Sequence, residues 1–192
     1  MSFLVKIFKQ VPEFIFQPAV VEVVSTDWNN LPVLDRRPST SVFRTSISNH
    51  LRIHAFAEGL QRTREALSET TACEDTIARK IFTSVNNLAE WVIKEVSASE
   101  VGRIMVVNLL PNSIIPNHID TGLYFQTYYR FHIPIITNEL VKFTGPCDDV
   151  HMPVGTLCQL NNRDFHGVKN MSESSRYHLI IDLKTSDERF VL

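Results

Sequence analysis

No run of apolar residues in this 192-residue sequence approaches the roughly 20 needed to cross a bilayer as a helix. Nor does either charge dominate: 19 Lys and Arg stand against 21 Asp and Glu, spread along the chain, for a formal net charge of −2. That balance gives no electrostatic footprint for nucleic acid or an anionic membrane, so neither is expected as a partner. Cys73, Cys147 and Cys158 form no CxxC pair and are odd in number, which fits free thiols in a reducing, cytoplasmic setting. The apolar opening MSFLVKIFKQVPEFIF is broken by Lys6, Lys9 and Glu13 and is followed by no small-residue cleavage site. It does not read as a signal peptide. Internal repeats and low-complexity tracts are also missing.

What is there is ordinary globular composition, 44% hydrophobic and 21% charged, at a length that suits one domain over residues 1–192 with a substantial core. Residues 1–74 mix apolar patches with turn-rich stretches such as Asp35-Arg36-Arg37-Pro38-Ser39-Thr40-Ser41, and read as short strands and loops wrapping the main body. Arg36-Arg37 reads as a solvated turn. Over residues 75–98 the texture changes: Ile77, Ile81, Val85, Leu88, Trp91, Val92 and Val96 recur at spacings of three and four, one buried helical face. Asp75 is placed to cap that helix and Gly102 to close the segment. From 103 to 183 short runs rich in Val, Ile, Phe and Tyr, at 103–110, 130–136, 140–144, 155–160, 165–169 and 176–183, alternate with turn residues. Many short strands without intervening helices predict a mainly β fold, a jelly roll or barrel with a packed N-terminal helical segment.

Three of the seven histidines keep unusual company. His118-Ile119-Asp120 sets an imidazole and a carboxylate at i and i+2, which an extended strand places on one face with Cα atoms roughly 6.6 Å apart. Pro116 keeps Ile115 extended. His166 lies on another β-like run. Two histidines and one carboxylate make the facial triad of non-haem iron(II) oxygenases, which leaves coordination positions open for substrates. An HxD triplet also arises by chance, and a distant histidine is often structural. Arg176 opens the run Arg176-Tyr177-His178-Leu179-Ile180-Ile181-Asp182-Leu183, and Arg130 and His132 share a face of a second such run. A guanidinium matches a carboxylate with two parallel hydrogen bonds. A metal flanked by strand-borne arginines therefore suits a dicarboxylate chelated at one end, whereas a salt bridge to Asp or Glu is the plain alternative for each arginine.

The ordered series Pro116-Asn117-His118-Ile119-Asp120, Arg130-Phe131-His132-Ile133-Pro134-Ile135 with Thr137-Asn138, Met152, Gly155, Asn161-Asn162, His166-Gly167-Val168-Lys169-Asn170 and Arg176-Tyr177-His178-Leu179-Ile180-Ile181-Asp182 resembles the aspartyl/asparaginyl β-hydroxylase family of 2-oxoglutarate oxygenases. The resemblance runs from about Asp75 to Leu183. It implies a double-stranded β-helix, a cupin-like jelly roll. It implies iron(II) held by His118, Asp120 and His166, with 2-oxoglutarate and dioxygen as cosubstrates. Arg176 would pair with the distal carboxylate of 2-oxoglutarate, and Arg130 and His132 would hold its metal-chelating end. A polar group that assists the distal carboxylate in some relatives falls near Val107-Asn108, which leaves the role of Asn108 open, as that of His178 is.

Of the remaining candidates, His151 in Asp148-Asp149-Val150-His151 reads as loop polarity, and His50 and His54 as surface residues. Tyr124, Phe125, Tyr128 and Tyr129 form an aromatic loop that either lines a pocket or caps the core, the pocket being favoured. Cys147 and Cys158 read as spectators. The expected activity is hydroxylation of an aliphatic carbon with 2-oxoglutarate decarboxylated to succinate. Lacking a membrane anchor or recognition domain in this sequence, the chain is expected to act on a free amino acid or derivative; Asp or Asn side chains of a protein are the alternative. A hydrolase or isomerase on the same barrel with zinc, or a metal-binding module without turnover, are the rivals, and neither needs a dicarboxylate anchor.

Overall fold

Every residue from Gly102 to Leu109 is buried, on both faces of one strand, so that strand requires a layer on each side. The computed structural model, which describes residues 3–28, 46–55 and 64–191, supplies both. In chain order the elements are β1 (Val5–Gln10), α1 (Glu13–Ser25), β2 (Ser46–His54), α2 (Arg64–Glu69), β3 (Cys73–Asp75), α3 (Ala78–Ile81), α4 (Thr83–Glu95) and β4 (Glu100–Leu109). They continue as β5 (Ser113–His118), α5 (Leu123–Thr127), β6 (Tyr129–Ile136), β7 (Val141–Thr144), β8 (Asp149–Val150), β9 (Thr156–Leu160), β10 (His166–Asn170) and β11 (Arg176–Lys184). Two antiparallel sheets result, one ordered β1-β9-β6-β11-β4-β2-β3 and the other β5-β10-β7-β8. From β4 to β11 the chain winds back and forth between them, which is a double-stranded β-helix, as the strand pattern and the resemblance implied.

Alternation sorts the side chains of the large sheet. Ile104 and Val106 of β4, Phe131 and Ile133 of β6, and Leu179 and Ile181 of β11 face the helices and pack with Val85, Leu88 and Val92 of α4. Each such burial contributes about 1.5–3 kcal/mol. The other face looks into the barrel, where Leu109 joins Val141, Phe143, Met152, Cys158 and Leu160 in a second cluster, and Met105, Val107 and Ile180 form a third. The intervening inward positions carry polar groups.

The single helix expected over 75–98 is divided. Asp75 ends β3 and pairs with Arg52 at 2.7 Å and Arg79 at 2.6 Å instead of capping a helix. Phe82, at φ −89° and ψ 74°, separates α3 from α4, and its ring stacks on Trp28 with centroids 5.5 Å apart. Ile77 and Ile81, expected on the buried face, are 54% and 48% exposed, because the periodicity continues through a break that Phe82 anchors. The capping of α4 comes from elsewhere: Glu22 of α1 accepts the Ser84 and Val85 N–H groups at 3.2 and 2.8 Å, favourable next to a helix N-terminus. Helix α1 itself differs from the strands and loops expected of residues 1–74. Its sequence is apolar all round, with Phe14 80% exposed and Phe16 buried, so it has no helical period to read. The turn-rich stretch Asp35–Ser41, with Arg36 and Arg37, lies outside the described residues, as does the side chain of His54.

Gly102, expected to close the helix, is instead part of β4. A Cβ there would stand 2.5 Å from the Tyr124 hydroxyl oxygen and 3.0 Å from the Asp182 carbonyl oxygen. Tyr124 is fully buried, so it has nowhere to retreat. Gly102→Ala is expected to destabilise the fold by about 1–3 kcal/mol, read as a lower urea midpoint at unchanged m. An unchanged midpoint would mean that the tyrosine yields freely.

Candidate metal centre

Strands β5 and β10 are antiparallel neighbours whose register pairs His118 with His166. The two rings lie 4.4 Å apart between centroids. Each ring is fixed through its inner nitrogen: His118 Nδ1 is 2.9 Å from the Pro116 carbonyl oxygen and His166 Nδ1 is 2.9 Å from that of Asp164. A carbonyl only accepts, so each Nδ1 carries the proton and each Nε2 keeps its lone pair. Asp120 follows β5, its N–H donating to the Asn162 carbonyl at 3.0 Å. Its Oδ2 accepts from Arg130 Nη1 at 2.7 Å and from Asn162 Nδ2 at 2.9 Å. Its Oδ1 lies 3.7 Å from His118 Nε2.

One ligand atom from each of His118, Asp120 and His166 lies within 4.8 Å of the others. Burial raises the Asp120 carboxyl, yet Arg130 and Asn162 hold it below its ordinary value, so it is a carboxylate. Burial lowers His166, which favours its neutral form. Two imidazole lone pairs and one free carboxylate oxygen, none committed to a donor, fit a divalent ion. The sequence-derived triad is brought together.

Further along the barrel interior lies Arg176, 2% exposed. Its Nη2 donates to His178 Nδ1 at 2.7 Å, and its guanidinium lies 5.3 Å above the Phe143 ring. Because His178 Nδ1 accepts, its proton sits on Nε2. That atom, Arg176 Nε and His132 Nε2 are all buried without a hydrogen-bond partner. His132 Nδ1 is 3.3 Å from His178 Nδ1. Thus Arg176, His132 and His178 form one buried polar cluster. Asn108 is elsewhere: its Nδ2 donates to the Tyr177 hydroxyl on the helix-facing side.

Arg130 departs from the expectation that it grips the chelating end of a cosubstrate. Its Nε and Nη2 donate to Asp182 at 2.8 and 3.2 Å, and Nη1 to Asp120. The salt-bridge alternative therefore holds for Arg130. Asp182 also accepts from Arg103 Nε and Nη2 at 3.0 and 2.9 Å and from the Tyr124 hydroxyl at 3.0 Å. Burial raises the Asp182 carboxyl, but Arg130 and Arg103 together drive it far below the carboxylate range. Arg103 is not singled out by the sequence; its one available signal is the inward phase of β4, which does not say which carboxylate it meets. Tyr124, on α5, and Asn162, in the turn after β9, enter there only through the aromatic loop and the family-like series, with no partner assigned.

Beside Asp120 opens a cavity of about 490 Å³ with Glu65, Arg103, Met105, Phe125, Arg130 and Ile180 in its wall. The aromatic loop runs through α5 into β6; Phe125 lines this cavity, while Tyr124 and Tyr128 are buried in the body. His50 is buried instead of lying at the surface. His151 bonds the Val141 carbonyl and stands 3.6 Å from Glu139, away from the triad. Cys147 and Cys158 are free thiols and join no metal-ligating cluster among the described residues. Among those residues no helix is long and apolar enough to cross a membrane.

The fold is similar to that of an oxidoreductase of the 2OG-Fe(II) oxygenase family from Burkholderia pseudomallei, with 13% identity over 91% of this chain and 82% of that one and a TM-score of 0.58. It is similar to a prolyl hydroxylase from Trichoplax adhaerens in complex with a hypoxia inducible factor oxygen degradation domain peptide fragment, at 13% identity, 97% and 86% coverage and a TM-score of 0.62. The viral collagen prolyl hydroxylase of Paramecium Bursaria Chlorella virus-1, in its 2OG complex, is likewise similar at 8% identity, 97% and 98% coverage and a TM-score of 0.56. At such identities the likeness is one of fold. No curated protein matches the chain in sequence. The model of the aspartyl/asparaginyl β-hydroxylase family, however, matches residues 67–186, more than half of the chain. The chain therefore belongs to the aspartyl/asparaginyl β-hydroxylase family and is, with it, a dioxygenase that works with iron(II), 2-oxoglutarate and dioxygen.

Proposed function

We propose that the chain hydroxylates an aliphatic carbon of an amino acid or amino-acid-derived substrate, with His118, Asp120 and His166 holding iron(II) and Arg176 anchoring the distal carboxylate of 2-oxoglutarate. The observation that carries this reading is the state of Arg176. Burial alone pushes its pKa down, to about 9, with no carboxylate of the described residues drawing it back. Arginine keeps its proton even so, and a buried cation without a counter-ion is costly. A ligand carboxylate there would supply the missing charge and accept from Arg176 Nε, which is otherwise orphaned. Neither a zinc hydrolase nor a metal-binding module without turnover accounts for such an anchor.

Iron(II), when bound, supplies the activation of dioxygen coupled to decarboxylation of 2-oxoglutarate to succinate and carbon dioxide. The protein's own part is arrangement. The carbonyls of Pro116 and Asp164 turn both Nε2 lone pairs inward. His132 and His178 flank the cosubstrate with neutral rings, because burial first and the Arg176 charge second depress both pKa values well below the ordinary range. Phe143 closes the cradle and keeps water from the guanidinium. The cavity beside Asp120 receives the substrate. Its volume suits a small molecule, and Met105, Phe125 and Ile180 in its wall give apolar surface for an aliphatic side chain. A protein side chain is the second reading, supported by Ile119 and Phe165, 38% and 48% exposed directly beside metal-ligand candidates. Incubating the protein with iron(II), ascorbate and 2-oxoglutarate against panels of amino acids and of peptides separates the two by which panel gains one oxygen in mass. A preparation that responds to zinc and never to iron would overturn both.

Arg176→Met is expected to weaken 2-oxoglutarate binding by about 100-fold, the loss of two charge-assisted hydrogen bonds, with Mn(II) affinity unchanged. The cosubstrate-free variant should unfold at the same temperature or higher, because an uncompensated buried charge is gone. Equal loss of metal and cosubstrate affinity would count against the assignment.

The neutral cradle also sets a pH dependence. Unfolded, His132 and His178 bind protons near 6.5; folded, both values lie well below that. Below pH 6.5 the unfolded chain holds more protons, so stability falls as pH falls, by up to about 1.4 kcal/mol per pH unit for each histidine. His166, lowered by burial, acts in the same direction. Urea unfolding at pH 7, 6 and 5 should show this decline, and His178→Phe should flatten it. A profile already flat in the native sequence would mean the rings are charged in the fold.

A further inference from the structure

The interior of β11 carries a second charged residue, Asp182, whose carboxylate is too well served to be incidental. In register it faces Arg130 of β6, and it accepts five hydrogen bonds, two from Arg130, two from Arg103 and one from Tyr124. The Tyr124 hydroxyl in turn accepts the Arg103 backbone N–H at 2.8 Å. Two guanidiniums against one carboxylate leave a surplus positive charge, and Arg130 places it on Asp120 Oδ2 at 2.7 Å.

We propose that Asp182 is a positioning residue for the metal centre, holding Asp120 through Arg130 so that only one carboxylate oxygen, Oδ1, faces His118 and His166. This rests on the reading of those three residues as metal ligands. Three contacts fix the geometry. The forked pairing with Asp182 sets the plane of the Arg130 guanidinium. Arg103 and Tyr124 fix Asp182 from behind. Asn162 takes the Asp120 N–H on its carbonyl and returns its own amide N–H to Oδ2. With Oδ2 occupied by two donors, the carboxylate cannot rotate to bind through both oxygens. That matters because a facial set of three ligand atoms leaves an octahedral ion three open positions, two for a chelating dicarboxylate and one for dioxygen. A two-oxygen Asp120 would take one of them.

Mn(II) serves as the probe, read by its affinity and by the broadening of its resonance in oxygen-17-labelled water, which counts bound waters. Asp182→Asn frees Arg130 from its fork. The expected result is a fall in Mn(II) affinity of about 10- to 100-fold and one fewer bound water at saturating metal. Asp182→Asn leaves the Arg103 guanidinium facing no anion, so the charge-balanced pair Asp182→Asn with Arg103→Gln is tested beside it, with the same signature expected. A folded variant of either kind with native Mn(II) affinity and water count overturns the proposal and leaves Asp182 a structural ion pair. His118→Ala is the control on the underlying reading. Should it bind Mn(II) as the native chain does, the ligand assignment fails and the positioning role falls with it.

Discussion

The pairing of β5 with β10 is the constraint from which the site follows. Strand alternation fixes which face each side chain occupies, but only register decides that His118 meets His166 rather than a neighbour. That register shifts by a bulge between His166 and Val168. Gly167 permits it: a Cβ at this position would stand 2.7 Å from the Ile115 carbonyl and 2.9 Å from the Thr144 hydroxyl. β10 therefore sits tightly between β5 and β7, and His166 is re-aimed toward the mouth, a common use of a bulge beside an active site.

Around this pairing the barrel buries an unusual amount of charge. Arg103, Arg176 and Asp182 are buried on inward positions of the large sheet with His132 and His178, and the half-buried Arg130 lies among them. Such groups stabilise little even when paired. What tolerates them is the other face of the same strands, where Ile104, Val106, Phe131, Leu179 and Ile181 pack against α4 in a continuous apolar layer. One face of the sheet holds the fold together and the other is given to chemistry, and the period of two keeps these tasks from interfering.

The same period explains how much was legible. His118 and Asp120 at i and i+2, and Arg176 heading an apolar run, announce a shared face and an inward guanidinium from spacing alone, and the strand boundaries fall close to where the β-rich runs placed them. Partner choice was not legible. Arg130 looks like Arg176 in sequence, each heading a strand with histidine two residues on, yet one meets two carboxylates and the other none. The difference lies in register, since Asp182 on β11 stands opposite Arg130. Helix α1 was missed because a segment apolar on all sides carries no period. The division at Phe82 was missed because the spacing of three and four runs through it, and only the stacking on Trp28 says where the helix must begin again.

The two arginines that sequence could not tell apart define the two ends of the barrel interior. At the mouth, Arg103 and Arg130 are matched against Asp182 and Asp120, and every carboxylate oxygen but one is engaged. Such a set is rigid and, its charges balanced, has no need of an added ion pair; what it leaves over is the single oxygen of Asp120 that faces two imidazole lone pairs. In the cradle the opposite holds. Among the described residues Arg176 has no counter-charge, and three buried polar atoms lack partners, an unfavourable arrangement that an anion of matching shape would relieve. Satisfied groups hold a ligand atom still, and unsatisfied groups create an appetite. A dioxygenase needs both, a fixed metal and an exchangeable dicarboxylate, and under the proposed function this barrel would separate the two requirements along one strand, from Arg176 to Asp182.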